Sequence, residues 1–99
     1  MEKRKPHCPL NAVKALIQEG KARATKSATD SAADLGIFGI EAMSAVVLSL
    51  TTKNFYKSMT TNADTKVWQD VYHAQTDVGE LYVKLTVIDD VLIVSFKPL

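Results

Sequence analysis

The stretch Glu80–Lys97, ELYVKLTVIDDVLIVSFK, holds two apolar-rich runs on either side of Asp89-Asp90. Both runs are dense in β-branched and aromatic residues, and aspartate is a turn former, so the stretch reads as a β-hairpin. A two-residue loop at Asp89-Asp90 sets Ile88 opposite Val91, and a register follows. Thr86 then faces Ile93, Lys84 faces Ser95, and Tyr82 faces Lys97. The other side pairs Val87 with Leu92, Leu85 with Val94, and Val83 with Phe96. That side is wholly apolar and is expected against a core, because strand side chains alternate between faces. The polar side is expected to be open, with Tyr82 and Lys97 as direct neighbours and Lys84 one step along.

Working outward, two more period-two runs precede the hairpin: Asn54–Thr61 (NFYKSMTT) and Lys66–His73 (KVWQDVYH). Turn-type stretches, Asn62-Ala63-Asp64 and Gln75 to Gly79, separate the strands. Lys57 shares a face with Phe55 and Met59, and Gln69 shares one with Val67 and Val71. Periodicity leaves open whether those faces are the one that carries Tyr82.

The first half of the chain changes to helical spacing. Asn11 is the expected N-cap of a helix that presents Leu10, Val13, Leu16 and Ile17 and stops at Gly20. Thr25 is the expected cap of a second helix, Lys26 to Asp34, ended by Gly36. Ile40, Met43, Val46, Val47 and Leu50 make the single apolar stripe of a third. Three helices followed by four strands predict an α+β domain, with the three N-terminal helices packed on one face of a C-terminal antiparallel β-sheet.

The 99 residues suffice for one domain, 1–99, and its core. A hydrophobic fraction of 46% and a charged fraction of 23% are those of an ordinary globular chain, and no apolar run approaches a membrane span. Pro6, His7 and Pro9 follow Lys3-Arg4-Lys5 where a signal peptide has its apolar region, so a cytoplasmic protein with no membrane partner is expected. Cys8 is the single cysteine, which excludes an internal disulfide and gives no support to a cysteine-based zinc site. His7 and His73 are isolated and no cluster has ligand spacing, so neither metal nor cofactor is expected. The net charge is only +1, but residues 1–26 carry seven Lys/Arg against Glu2 and Glu19. A polyanion must therefore meet a local site or this basic quarter.

Phosphate loops, dinucleotide turns and metalloprotease helices have no counterpart in the sequence. What remains is the sheet face with Tyr82, Lys84 and Lys97. A solvated sheet face commonly carries Lys, Thr and Tyr for no catalytic reason. The same set also suits cleavage of RNA by its own 2′-OH. That reaction needs a proton removed, a crowded phosphorane neutralised and a proton given to the 5′ oxygen. Lysines supply the fixed charge, a tyrosine beside them can share the proton transfers, and Gln69 could hold a phosphate oxygen or base edge. Tyr82, Phe55 and Trp68 offer flat surfaces for unstacked bases.

Several segments, taken in order, resemble one family. They are Met1-Glu2-Lys3-Arg4, Pro6-His7, Phe55-Tyr56-Lys57-Ser58-Met59-Thr60-Thr61, Trp68-Gln69-Asp70-Val71-Tyr72, and Tyr82-x-Lys84-x-Thr86-Val87-Ile88 running on through Asp90 to Lys97. In order and spacing the chain resembles the MqsR toxins, the motility quorum-sensing regulators. The resemblance implies a RelE-like fold and a metal-independent, ribosome-independent endoribonuclease that cuts mRNA at GC-containing triplets such as GCU. It implies an MqsA-like antitoxin partner with a zinc-binding domain and a helix-turn-helix DNA-binding domain, so that operator DNA is met only through the antitoxin. It maps catalytic roles onto Lys57, Gln69, Tyr82 and Lys97, with Met59 close by, and Lys84, on the hairpin's polar face, is expected to bind substrate with Met59. The loop His73 to Gly79 carries Asp77 and no Lys or Arg, where a relative in the family has basic residues. Two rival readings are a non-catalytic antitoxin-binding module, and an RNA binder that uses the basic segment Lys3 to Lys26.

Overall fold

The computed structural model describes residues 1–61, 63, 64 and 66–99. In chain order the elements are β1 (Glu2–Lys3), α1 (Leu10–Gln18), β2 (Ala22–Ala24), α2 (Lys26–Asp34), α3 (Gly39–Leu48), a short 3-10 turn (Thr52–Asn54), β3 (Phe55–Thr60), β4 (Trp68–Thr76), β5 (Gly79–Ile88) and β6 (Asp90–Pro98). The expected α+β class holds, but the sheet has six strands in the order β1-β3-β4-β5-β6-β2. β3 to β6 form the expected antiparallel meander. β1 adds to β3 antiparallel, while β2 runs parallel to β6, so the sheet is mixed rather than antiparallel. Of the expected turn Asn62-Ala63-Asp64, Asn62 lies outside the described residues.

All three helices lie on one face of the sheet. Leu10, Val13 and Ile17 of α1, Ala28 and Ala32 of α2, and Met43 and Val47 of α3 meet Tyr72, Ala74, Leu81, Val83, Leu85, Val91, Ile93 and Phe96 in one core. Burying a Leu, Ile or Phe side chain contributes about 1.5–3 kcal/mol, so this layer holds the domain together. Among the described residues no single helix is long and apolar enough to cross a membrane.

Two helix starts show how the chain reads its own caps. α1 begins at Leu10 with Pro9 in the cap position, two residues before the start that an Asn11 cap predicts. The Pro9 carbonyl accepts from the amides of Ala12 and Val13, and proline lacks the N–H that a helix start leaves unpaired. Thr25 does cap α2, accepting the Ala28 amide at 3.1 Å.

Thr25 also explains the main departure from the expected hairpin. Tyr82 pairs with Lys97, Val83 with Phe96 and Lys84 with Ser95, as the two-residue loop requires. Beyond them the register shifts: Leu85 pairs with Ile93, Thr86 with Leu92, Val87 with Val91 and Ile88 with Asp90. Asp89 alone forms the tip, in the left-handed region at φ 68°. Val94 is the extra residue of a β-bulge, and Thr25 Oγ1 donates to its carbonyl at 3.1 Å. The bulge reverses which face each residue takes. Val91 and Ile93 are buried in the core with Phe96, while Leu92 and Val94 are not, the reverse of the expectation for that half. The Thr25 amide donates to Ile93 as β2 docks, so β2 and the bulge form together.

Candidate active site on the open sheet face

β-Pairing settles what periodicity left open. Lys57 pairs with Val71, and Val71 pairs in turn with Lys84, so both lysines flank Val71 on the face away from the helices. Val71 is 0% exposed yet stands apart from the helix-side core. Lysine stems are apolar enough to cover such a neighbour while their ammonium groups stay in water. Met59 and Gln69 pair one step further along. Tyr82 lies between His73 on β4 and Lys97 on β6. The structure therefore brings Lys57, Met59, Gln69, Tyr82, Lys84 and Lys97 onto one face. Phe55 does not share it: a bulge between Phe55 and Lys57 sends Phe55 inward, edge-on to the core residue Tyr72 at 5.5 Å. Trp68 is on the helix side as well, stacked with His7 at 5.6 Å and covered by Lys3 Nζ at 4.2 Å. Neither ring offers the open face a surface for bases.

Charge is concentrated here. Lys97 Nζ lies 5.2 Å and Lys84 Nζ 6.0 Å from the Tyr82 ring centre. Burial, then the charges of Lys97 and Lys57, push the Lys84 pKa below the ordinary lysine value. Like charges held together raise the local positive potential, which an anion would relieve. Lys57 differs: its Nζ donates to Glu2 Oε1 at 2.7 Å, and this bond holds its pKa above the usual value. The same bond holds the Glu2 carboxyl below its ordinary range. Glu2 was missed because nothing in the pattern of Met1 to Lys5 marks a strand, and β1 exists only by pairing with β3. Tyr72, by contrast, faces the core, and burial above all pushes its phenol up to about 12, so it stands outside the chemistry.

His73, isolated in the sequence, has aromatic neighbours in the fold. It stacks on Tyr56 at 4.4 Å between ring centres and lies 6.3 Å from Tyr82. The alternation Gln69, Val71, His73 already put it on the face of Gln69, but which face that was needed the pairing. Among the described residues no three His, Cys, Asp or Glu side chains gather as a metal would require.

Three of the seven cations of the basic quarter are engaged in surface ion pairs. Arg23 pairs with Asp90 at 2.6 Å, Lys26 with Asp30 at 2.6 Å and Lys21 with Glu19 at 3.7 Å. The open sheet face can do more. It offers three ammonium groups, a phenol, an imidazole and an amide within a few residue steps, enough to hold a phosphodiester and move protons around it.

A family model described as "Motility quorum-sensing regulator, toxin of MqsA" matches residues 5–98. The chain is also similar to "mRNA interferase toxin MqsR" of Escherichia coli (strain K12), with 50% identity over 97 residues, covering 98% of each chain. On both counts the chain belongs to the MqsR toxin family, the motility quorum-sensing regulators.

Proposed function

We propose that this chain is the toxin of a toxin–antitoxin pair, an mRNA interferase that cleaves single-stranded mRNA by attack of the 2′-OH on the adjacent phosphate. The observation that carries the reading is the cluster of Lys57, Lys84 and Lys97 around Tyr82 on an open face, in a chain half identical to an mRNA interferase toxin. Lys97 and Lys57 stabilise charge on the phosphorane, and Lys84 holds the approaching phosphate. Tyr82 serves as acid or base at the 2′ or 5′ oxygen. Gln69 orients the substrate, with Met59 against it. The products are a 2′,3′-cyclic phosphate and a 5′-OH, and no metal takes part.

The remaining features of the reading rest on the family. The fold is RelE-like, cleavage falls at GC-containing triplets of the GCU kind, and the reaction takes place in the cytoplasm without the ribosome. The partner is an MqsA-like antitoxin with a zinc-binding domain and a helix-turn-helix domain, and operator DNA is contacted through it alone.

The test is cleavage of a defined single-stranded RNA by purified protein in EDTA, with the ends mapped. Lys97→Ala and Lys57→Ala are run beside it. Cuts at GC-containing sites, cyclic phosphate ends and a loss of about 10²-fold or more in either variant are expected. Intact RNA from folded, antitoxin-free protein would refute catalysis and favour the antitoxin-binding module. Wild-type rates in both folded variants would refute the site.

A further inference from the structure

Beside the lysines runs a row of rings that the proposed chemistry does not use in full. Tyr56, His73 and Tyr82 cross β3, β4 and β5 in line, and Lys97 ends the row on β6. Tyr56 and His73 are stacked at 4.4 Å with 27° between their planes. Neither belongs to the core, and Tyr56 is 41% exposed. The bulge between Phe55 and Lys57 is what separates them: it turns Phe55 into the core and leaves Tyr56 beside His73. A fold that needed only packing would gain more by burying the Tyr56 ring than by placing it in water.

The surroundings identify what the rings can take. Arg4 lies 5.8 Å and Lys57 Nζ 5.4 Å from the Tyr56 ring centre, and Lys84 and Lys97 stand at Tyr82. An aromatic row between cations fits a ligand that alternates flat, polarisable groups with negative charge, which describes a single-stranded nucleic acid. Spacing fits too. His73 is two residues along β4 from Val71, which Lys57 and Lys84 flank, about 6.8 Å, the scale of one nucleotide. With a phosphate at the lysines, the neighbouring base reaches the rings.

We infer that Tyr56 and His73 form a stacking platform for the nucleobase next to the scissile phosphate, with Arg4 holding the phosphate on its outer side. The inference rests on the interferase reading above and adds to it a base subsite. Stacking tolerates any base, because every base has a π face, so the platform contributes affinity and placement rather than sequence choice. Tyr56 is accordingly a binding residue, and its loss falls mainly in KM.

The experiment uses the whole chain and an RNA with 2-aminopurine beside the scissile position, in a cleavable form and a form carrying 2′-deoxyribose at that position. Wild type is expected to quench the 2-aminopurine on binding the uncleavable form. Tyr56→Ala is expected to abolish the quench and weaken binding about 5- to 100-fold, while Tyr56→Phe retains both. Tyr56→Leu keeps apolar bulk without a π face and is expected to behave like Tyr56→Ala, which keeps the test open if Tyr56→Ala folds poorly. Equal binding, quench and KM in folded Tyr56→Leu would overturn the platform while leaving the interferase reading intact. RNA neither bound nor cut by wild type overturns the interferase reading and the platform with it. Weakened antitoxin binding with unchanged RNA binding assigns the rings to a protein partner and overturns the inference.

Discussion

Replacing Asp70 by alanine should loosen the N-terminal segment and destabilise the domain by about 3 kcal/mol. Asp70 is on the helix side of β4 and only 5% exposed. Its two carboxylate oxygens accept the amides of His7 and Cys8, each at 3.0 Å. These bonds tie the segment between β1 and α1 to the middle of the sheet, and β1 carries the Glu2 that meets Lys57. A hydrogen bond to a charged group contributes about 1.5–3 kcal/mol, so losing two costs about 3–6 kcal/mol. Relief of the cost of burying a carboxylate offsets part of that, leaving about 3 kcal/mol. In a domain of this size each kcal/mol shifts Tm by about 4–8 °C, so Tm should fall by about 12–24 °C. Asp70→Asn keeps one acceptor but turns an NH2 toward the other amide, and should cost about half as much. Urea denaturation gives the free energy, and hydrogen exchange at the His7 and Cys8 amides locates it. A loss under about 0.5 kcal/mol in Asp70→Ala, with both amides still protected, would refute the reasoning.

Other perturbations separate the charges of the site. Glu2→Gln removes the carboxylate that competes with RNA for Lys57 and should lower KM for RNA by about two- to five-fold at low salt, with less effect at high salt. An unchanged KM at low salt argues that Lys57 never meets the phosphate. The Lys84 pKa is depressed, first by burial and then by Lys97 and Lys57, so its charge is lost at lower pH than an ordinary lysine's. Cleavage that needs the charge must therefore fall as pH rises through that lowered pKa. Lys84→Arg keeps its charge throughout and should carry the alkaline limb of the pH–rate profile upward. A limb that stays in place assigns it to another group. The sign for stability is opposite. The unfolded chain binds the Lys84 proton more tightly, so this residue's contribution to stability rises as pH climbs from below the folded pKa to the ordinary value. Finally, Ile93→Ala should cost about 2–4 kcal/mol by urea denaturation and Val94→Ala under about 1 kcal/mol. The reverse order would argue for a hairpin without the bulge.

The helix and strand runs, the Thr25 cap and the outer hairpin pairs were legible because each is written in neighbouring residues. Alternation in Tyr82-Val83-Lys84 and Ser95-Phe96-Lys97 is enough to place Tyr82 beside Lys97. The inner pairs were not legible, since the run Val91-Leu92-Ile93-Val94 is apolar throughout and marks no residue as the extra one. The bulge falls at Val94 because Thr25, 69 positions away, takes that carbonyl as β2 docks. β2 itself, Ala22-Arg23-Ala24, has no strand signal of its own and is held by β6.

The candidate site divides in the same way. The residue types that handle a phosphate could be named from the sequence, and one pair of them could be placed. The common face of Lys57, Gln69 and Tyr82 could not, because β4 offers a mixed set on either side: Gln69, Val71 and His73, or Trp68, Asp70, Tyr72 and Ala74. Polarity alone gives no reason to bury the side that holds a carboxylate. The fold buries it because the His7 and Cys8 amides satisfy Asp70 there, which leaves Gln69 and His73 outside with the lysines. Local periodicity belongs to consecutive residues and can be read from them. Facing, bulges and edge strands are set by hydrogen-bond partners far along the chain, and those exist only once the chain has folded.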